Sequence, residues 1–359
     1  MRIVLVTSWP TQVLAGSGTA VFFNALHSGL VERGYDVEVI ASEFDITDYV
    51  EVTLKRFLFN TELRTDPRVQ AANVVIGFDY DGYGLDPAHR PPMITSALAV
   101  YGDVIRWETE PVRTMVQAQA FFDQVAMERT DRITVGSQYA RDRIVSLYGI
   151  AAEKITMIPH GEITPTWMPL VNAEDRLEND HPILLAVGKM YPRKRLDILL
   201  EALALLRTTY PTIELRVVGD GLEWERLHQL ADTLNLNEHV TWLSQIDDDV
   251  VFAREWRQAD IFCHPSSQET FGYVYLEAML LGKAIVAARA ATAPEVLGDA
   301  ALLVEPENPL ALAKGLDRLL RDAPLREHYG QLAKKRAANF SLEKMIDGYV
   351  EVLNQLVNV

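Results

Sequence analysis

The chain has 359 residues, 48% of them hydrophobic and 23% charged, an ordinary globular composition at a length that exceeds what one core usually supports, so two domains are expected. Its formal net charge is −16, with 14 basic against 21 acidic side chains in residues 1–165 and 20 against 29 in the remainder. An acidic surface spread so evenly repels nucleic acid and anionic lipid heads, and argues against a general polyanion binder.

The chain opens on RIVLVTS, a continuous apolar run of the kind that forms a strand buried on both faces. MRIVLVTS is too short for a signal-peptide core with its cleavage site, and no later apolar run approaches membrane length. The single cysteine, Cys263, permits no internal disulfide and reads as a small buried hydrophobe. A cytoplasmic protein without a transmembrane segment is the expectation. Residues 19–33 carry apolar side chains at helical spacing and run into Gly34, a helix stop, with DVEVIAS following as a second strand. NVVIGFD and PMITSALAV read as strands, about 111–129 as a long helix, DRITVGS as a strand and SQYARDRIVSLYG as a capped helix, before KITMIPHG ends the half. The stretch 41–70 suggests no element, and in GFDYDGYGLDP the residues Asp79, Tyr80, Asp81 and Tyr83 suit either a polyol contact or a polar turn.

After the polar stretch VNAEDRLENDHP a second alternating set begins. HPILLAVG, IELRVVGDG, HVTWLSQI, ADIFCHPSS and KAIVAAR read as strands, interleaved with helices in LDILLEALALLRTTYP, EWERLHQLADTLNL, YVYLEAMLLG and PLALAKGLDRLLRD. Two such series predict two doubly wound α/β domains, residues 1–168 and 176–340, each taking ligands beyond the C-terminal ends of its strands.

Three segments carry chemistry. In SSQETFGYVYLEAMLLG, Glu269 lies on a loop after a strand, Gly272 opens a helix and Glu277 follows on it. Backbone N–H groups around Thr270, Phe271 and Gly272 suit a phosphate, and the flanking carboxylates accept hydroxyl pairs, so the combination fits a phosphate between two polyols. Taken singly, Glu269 reads as a helix-capping acid and Glu277 as a solvated helix residue. In AVGKMYPRKRLDILLEAL, a strand ends at Gly188, and Lys189 and Lys194 follow on the loop. Two cations there would neutralise a diphosphate leaving group where a metal often serves, although a solvated basic turn has the same pattern. Arg193 and Arg195 read as solvated. In LAGSGTAVFFNAL, Gly16, Ser17 and Gly18 precede a helix and permit close backbone approach to a ligand, or form a flexible loop; the spacing is not the dinucleotide fingerprint.

Together these segments resemble the large family of retaining GT-B glycosyltransferases called glycosyl transferases group 1, or glycosyltransferase family four. The match runs along nearly the whole chain: Gly188, Lys189 and Lys194; VVGDGLEWERL at 217–227; HVTWLSQI at 239–246; the Glu-x7-Glu pair Glu269 and Glu277; PEVL; and FSLEKMIDGYVEVL, similar to a final helix (about 341–359) that crosses back to the first domain. The resemblance implies two Rossmann-like domains facing a central cleft, a UDP- or GDP-linked sugar as donor, and a small-molecule or glycan acceptor. It further implies retention of anomeric configuration, with neither metal nor cofactor in the site. By the same resemblance Glu277 holds the ribose and Glu269 the transferred sugar, and Lys189 and Lys194 hold the diphosphate with N–H groups near Phe271 and Gly272. Gln245 and Ile246 meet the base, and the Gly16–Gly18 loop closes over the phosphates.

Three departures stand out. ITSALAVYGD puts Ala97, or by another alignment Tyr101, where the family commonly has a histidine against the donor sugar. The I-P-N-G linker is IPHG, with His160 reading as a structural histidine, and RAATAPEV lacks the two glycines usual before PEV. Two rivals of other classes share the scaffold. A nucleotide-sugar 2-epimerase needs acid and base side chains around the sugar, for which no cluster is evident. A non-catalytic sugar-nucleotide-binding protein would have little use for both glutamates and both lysines.

Overall fold

The computed structural model describes residues 1–9, 18–44, 48–161, 167–171 and 180–357. They fall into two compact units, Met1–Ile163 with Phe340–Val359, and Thr164–Asn339.

The first unit is built on strands β1 (Arg2–Thr7), β2 (Asp36–Ala41), β3 (Val74–Phe78), β4 (Met93–Ala97), β5 (Arg132–Val135) and β6 (Ile155–Met157), all parallel, in the order β2-β1-β3-β4-β5-β6. Every residue of β3 and β4 is buried, as a parallel sheet with both faces covered requires. The stretch 41–70 is not irregular: it contains the helix Tyr49–Glu62, started by Asp48, whose carboxylate accepts from the Val50 and Glu51 N–H groups at 2.8 and 3.0 Å. Its buried side chains are Val52, Thr53, Arg56 and Asn60, three of them polar, so no apolar stripe marks it in the sequence.

The final helix, Leu342–Val357, belongs to this unit although it follows the other in sequence. Its Tyr349 hydroxyl sits 2.7 Å from Ser96 Oγ on β4 and 2.8 Å from Thr134 Oγ1 on β5. Its Ile346 fills the space over Gly29 that any larger residue there would claim.

The second unit repeats the architecture with β7 (Ile183–Val187), β8 (Glu214–Val218), β9 (Val240–Leu243), β10 (Ile261–His264), β11 (Ala284–Ala288) and β12 (Leu302–Val304), parallel, in the order β12-β11-β10-β7-β8-β9. Its core joins the helices Leu196–Leu206 and Pro309–Arg321 through fully buried Leu199, Leu203, Leu316 and Leu319, each contributing about 1.5–3 kcal/mol by burial. The acidic run at 247–249 starts a further helix, Asp249–Gln258, for which Asp248 is the cap.

Strand order reverses once in each sheet. The chain runs outward from β7 to β9 and then returns to β10 on the other side of β7; in the first sheet it turns between β1 and β3. A crevice opens beyond the strand ends at each such reversal, which makes two places where this fold accommodates ligands.

Candidate active site

At the reversal between β7 and β10 lies a pocket lined by Gly188, Lys189, Lys194, Leu196, Val217 and His264. The chain leaves β7 through Gly188 and turns through the short helix Pro192–Lys194. Lys194 Nζ forms an ion pair with Glu269 Oε1, and His264 Nε2, at the end of β10, lies 2.8 Å from the same oxygen. The two loops are fastened together: Ser267 N–H donates to the Arg193 carbonyl at 2.9 Å and Ser266 Oγ–H at 3.2 Å. Lys194 and Glu269 are thus placed by one shared link.

Burial opposes ionisation of Glu269, but Lys194 and His264 reverse that and hold its carboxyl well below the usual range. Burial also lowers the Lys194 ammonium, against the pull of Glu269, and lowers His264 below 6.5, leaving that ring neutral at pH 7. Glu269 is therefore not a helix cap. The helix Tyr273–Leu280 is capped by Gly272, in left-handed conformation with φ +86°, and no side chain among the described residues caps it. Phe271 is buried beside it, its carbonyl accepting from Thr292 Oγ1 at 3.1 Å.

Lys189 turns the other way. Its Nζ pairs with Asp220, just past β8, and lies 3.4 Å from Gln245 Oε1. Gln245 in turn donates to Asp247 at 2.9 Å, and half-buried Ile246 lies between them. Glu277, on the second turn of its helix, is only half-exposed and makes no ion pair or side-chain hydrogen bond among the described residues. Burial alone pushes its carboxyl up to about 8, so it is not an ordinary solvated glutamate. Arg195 also corrects the expectation of a solvated residue: it adopts φ +55° and pairs with Asp197 at 3.1 Å and Glu307 at 3.6 Å. Arg193 lies over the Tyr191 ring, 4.3 Å from its centroid.

His264 and Asp220 are the two pocket-side residues that sequence reasoning missed. Both lie in segments that read as strands, ADIFCHPSS and IELRVVGDG, but they pair with Glu269 and Lys189, on the loops beyond the strand ends. Gly16 and Ser17 lie outside the described residues; Gly18 is exposed and opens the helix Gly18–Glu32. Among the described residues no group of three or more His, Cys, Asp or Glu side chains could hold a metal, and no helix is long and apolar enough to cross a membrane.

The family described as Glycosyl transferases group 1 matches residues 171–336, and that described as Glycosyltransferase Family 4 matches residues 16–161. The chain belongs to the group 1 glycosyltransferases. This glycosyltransferase is 24% identical to an uncharacterized glycosyltransferase of Methanocaldococcus jannaschii over 93% of each chain. It is 29% identical to the GDP-mannose-dependent alpha-(1-6)-phosphatidylinositol monomannoside mannosyltransferase of Mycolicibacterium smegmatis over 62% of this chain, spanning 60% of that relative. Its fold is shared with sucrose-phosphate synthase of Thermosynechococcus elongatus (TM-score 0.82, 19% identity, 100% of both chains). Anabaena HepE, solved in complex with UDP-glucose, shares it as well (TM-score 0.75, 18% identity, 99% and 100% covered). Both units therefore have the α/β architecture of the GT-B glycosyltransferases.

The glycosyltransferase carries a second polar cluster at the reversal between β1 and β3. Arg56 is fully buried between the rings of Trp9 and Tyr80, 4.4 Å from each centroid. Its Nε donates to Ser8 Oγ at 2.8 Å and Nη1 to the Tyr101 hydroxyl at 3.2 Å, while Nη2 has no partner among the described residues. Asp81 accepts from the Ser8 N–H at 2.7 Å and from Asn60 Nδ2 at 2.9 Å. Asp79, at φ +56°, accepts from the Leu98 and Ala99 N–H groups, and burial, opposed by Arg56, raises it to about 6. Asp79, Tyr80 and Asp81 thus face inward, and only Tyr83 is half-exposed. Ala97 ends β4 as a buried residue. His160 packs on Phe22, ring centroids 4.6 Å apart, beneath Gly136, and burial lowers it to about 3, a structural residue.

Proposed function

We propose that this glycosyltransferase moves a hexose-like sugar from a UDP- or GDP-linked donor to an acceptor hydroxyl, with retention and without a metal. The observation that carries the reading is the cluster of Lys194, Glu269 and His264 at the β7/β10 reversal, with Lys189 beside it. Both lysines rest on carboxylates, so a diphosphate, carrying more charge than either Glu269 or Asp220, is a stronger partner for both. Transferred to it, they neutralise the leaving group as the bond to the anomeric carbon breaks. Glu269 receives a sugar hydroxyl, Glu277 the ribose, and the Gln245–Ile246 backbone the base. N–H groups of Phe271 and Gly272 complete the phosphate cradle. A phosphate oxygen of the donor takes the acceptor proton, so no separate protein base is required. The acceptor, a small molecule or glycan, is assigned to the first unit. That a relative is named GDP-mannose-dependent and a neighbour was solved with UDP-glucose supports a nucleotide-sugar donor of either base.

The test is a panel of nucleotide sugars, including UDP-glucose and GDP-mannose, read by thermal shift and by slow donor hydrolysis in the presence of EDTA. The preferred donor at 100 times its Kd raises stability by about 2.7 kcal/mol, and the released sugar keeps the donor's anomeric configuration. No shift with any donor sinks the reading. A strict requirement for manganese or magnesium sinks its metal-free part, and an epimerised donor favours the epimerase.

A further inference from the structure

Oxygen Oε1 of Glu269 receives both of that residue's partners, the Lys194 ammonium and His264 Nε2, and among the described residues no hydrogen bond reaches Oε2. The His264 ring cannot drift. It is 4% exposed, nearly parallel to Phe262 at 5.9 Å and 15°, and edge-on to Tyr275 at 5.1 Å and 88°. Its strand is paired on one side with β7 and on the other with β11. Since a carboxylate only accepts, Nε2 is the protonated nitrogen of a neutral ring, and its N–H donates to Glu269.

We propose that His264 is a positioning residue for Glu269, keeping that carboxylate ionised and oriented when Lys194 leaves it for the donor diphosphate. The inference rests on the nucleotide-sugar reading above. One ammonium serves two anions in turn: it neutralises Glu269 in the free protein and the phosphates in the complex. A buried carboxylate stripped of its cation would take up a proton or rotate toward water. The His264 N–H, on an immobile ring, leaves one charge-assisted hydrogen bond on Oε1, so Oε2 stays available to a sugar hydroxyl. Lys194 is then the mobile partner and His264 the fixed one, which separates phosphate neutralisation from sugar orientation. The Tyr275 hydroxyl, buried and without a hydrogen-bond partner among the described residues, is kept protonated by its burial and by the charge of Glu269.

Two variants test this in the full chain. His264→Phe keeps the aromatic packing and removes the N–H; His264→Gln restores an N–H near the position of Nε2. With the donor selected from the panel, His264→Phe is expected to lower kcat about 10–100-fold, the scale of a small misplacement at a reacting centre. Its Kd for free UDP or GDP should be unchanged, because the nucleotide does not touch Glu269, and His264→Gln should recover most of kcat. Nitrogen-15 NMR gives a readout without turnover: the ring is expected as the Nε2–H tautomer, and Glu269→Gln should lower its titration midpoint further. Undiminished kcat in His264→Phe beside an active wild type overturns this inference alone, as does a titration indifferent to Glu269→Gln. A wild type that turns over no nucleotide sugar overturns the transferase reading and this inference with it.

Discussion

The two glutamates that flank Gly272 carry opposite electrostatics. Glu269 is held ionised by Lys194 and His264, whereas Glu277, with burial and no side-chain partner among the described residues, is raised to about 8 and is mostly protonated at pH 7. Ribose hydroxyls donate best to a carboxylate, so with Glu277 on the ribose, as proposed above, nucleotide binding should select its ionised fraction. That fraction grows about tenfold between pH 7 and 9, and apparent affinity for UDP or GDP should rise about as much. Glu277→Gln should abolish the rise, and calorimetry in buffers of different ionisation enthalpy should show a proton released on binding only in the wild type. A flat affinity profile in the wild type would place Glu277 away from the nucleotide. The stability effect has the opposite sign. A carboxyl raised from 4.5 to about 8 by folding binds more protons in the native state, so its contribution falls as pH climbs through that interval.

The loops that present the lysines depend on close backbone approach at the strand ends. Gly219, leaving β8 at φ +128°, has no room for a side chain: a Cβ there would collide with the Gly188 carbonyl oxygen. Gly219 N–H also donates to the Leu243 carbonyl at 3.1 Å, joining the exits of β8 and β9. Gly219→Ala should destabilise the protein by about 1–3 kcal/mol from its backbone conformation alone. Because the collision displaces the Gly188–Lys189 turn, nucleotide affinity should fall with it, in thermal unfolding and equilibrium binding respectively. Normal stability and affinity in this variant would mean that the turn relaxes without consequence.

The two units are interleaved in the chain, and the last helix shows what that costs to undo. Leu342–Val357 buries Met345, Ile346, Tyr349, Val352 and Leu353 on the first unit, worth about 1.5–3 kcal/mol each. Their sum rivals the roughly 5–15 kcal/mol by which a typical domain is stable. Deleting residues 340–359 should therefore abolish or sharply lower the first unit's unfolding transition while the second unit, whose core is complete without them, keeps its own. Hydrogen exchange resolved by segment would separate the two. Equal protection of β4 and β5 in the truncated and full chains would refute the assignment.

Most of the architecture was legible in the sequence because it is written locally. Continuous apolar runs mark parallel strands covered on both faces, and β1, β3, β7, β10 and β11 each contain one. The loop from Gly188 to Lys194 and the segment from Glu269 to Glu277 were likewise marked by position, each beyond a strand end. The helix Tyr49–Glu62 was not legible, since its buried face is mostly polar and its Arg56 and Asn60 find partners in Ser8 and Asp81, just beyond strand ends, and in Tyr101 on another helix. Partner choice at the candidate site was not legible either. Lys194 and Glu269 are 75 residues apart, and Lys189 and Asp220 are 31 apart. Their pairing follows from the order β10-β7-β8, which brings three strand ends together. The same holds for the electrostatics of the two glutamates. A side chain's type and its distance from a glycine can be read along the chain, but its burial and its counter-charge belong to the packed sheet.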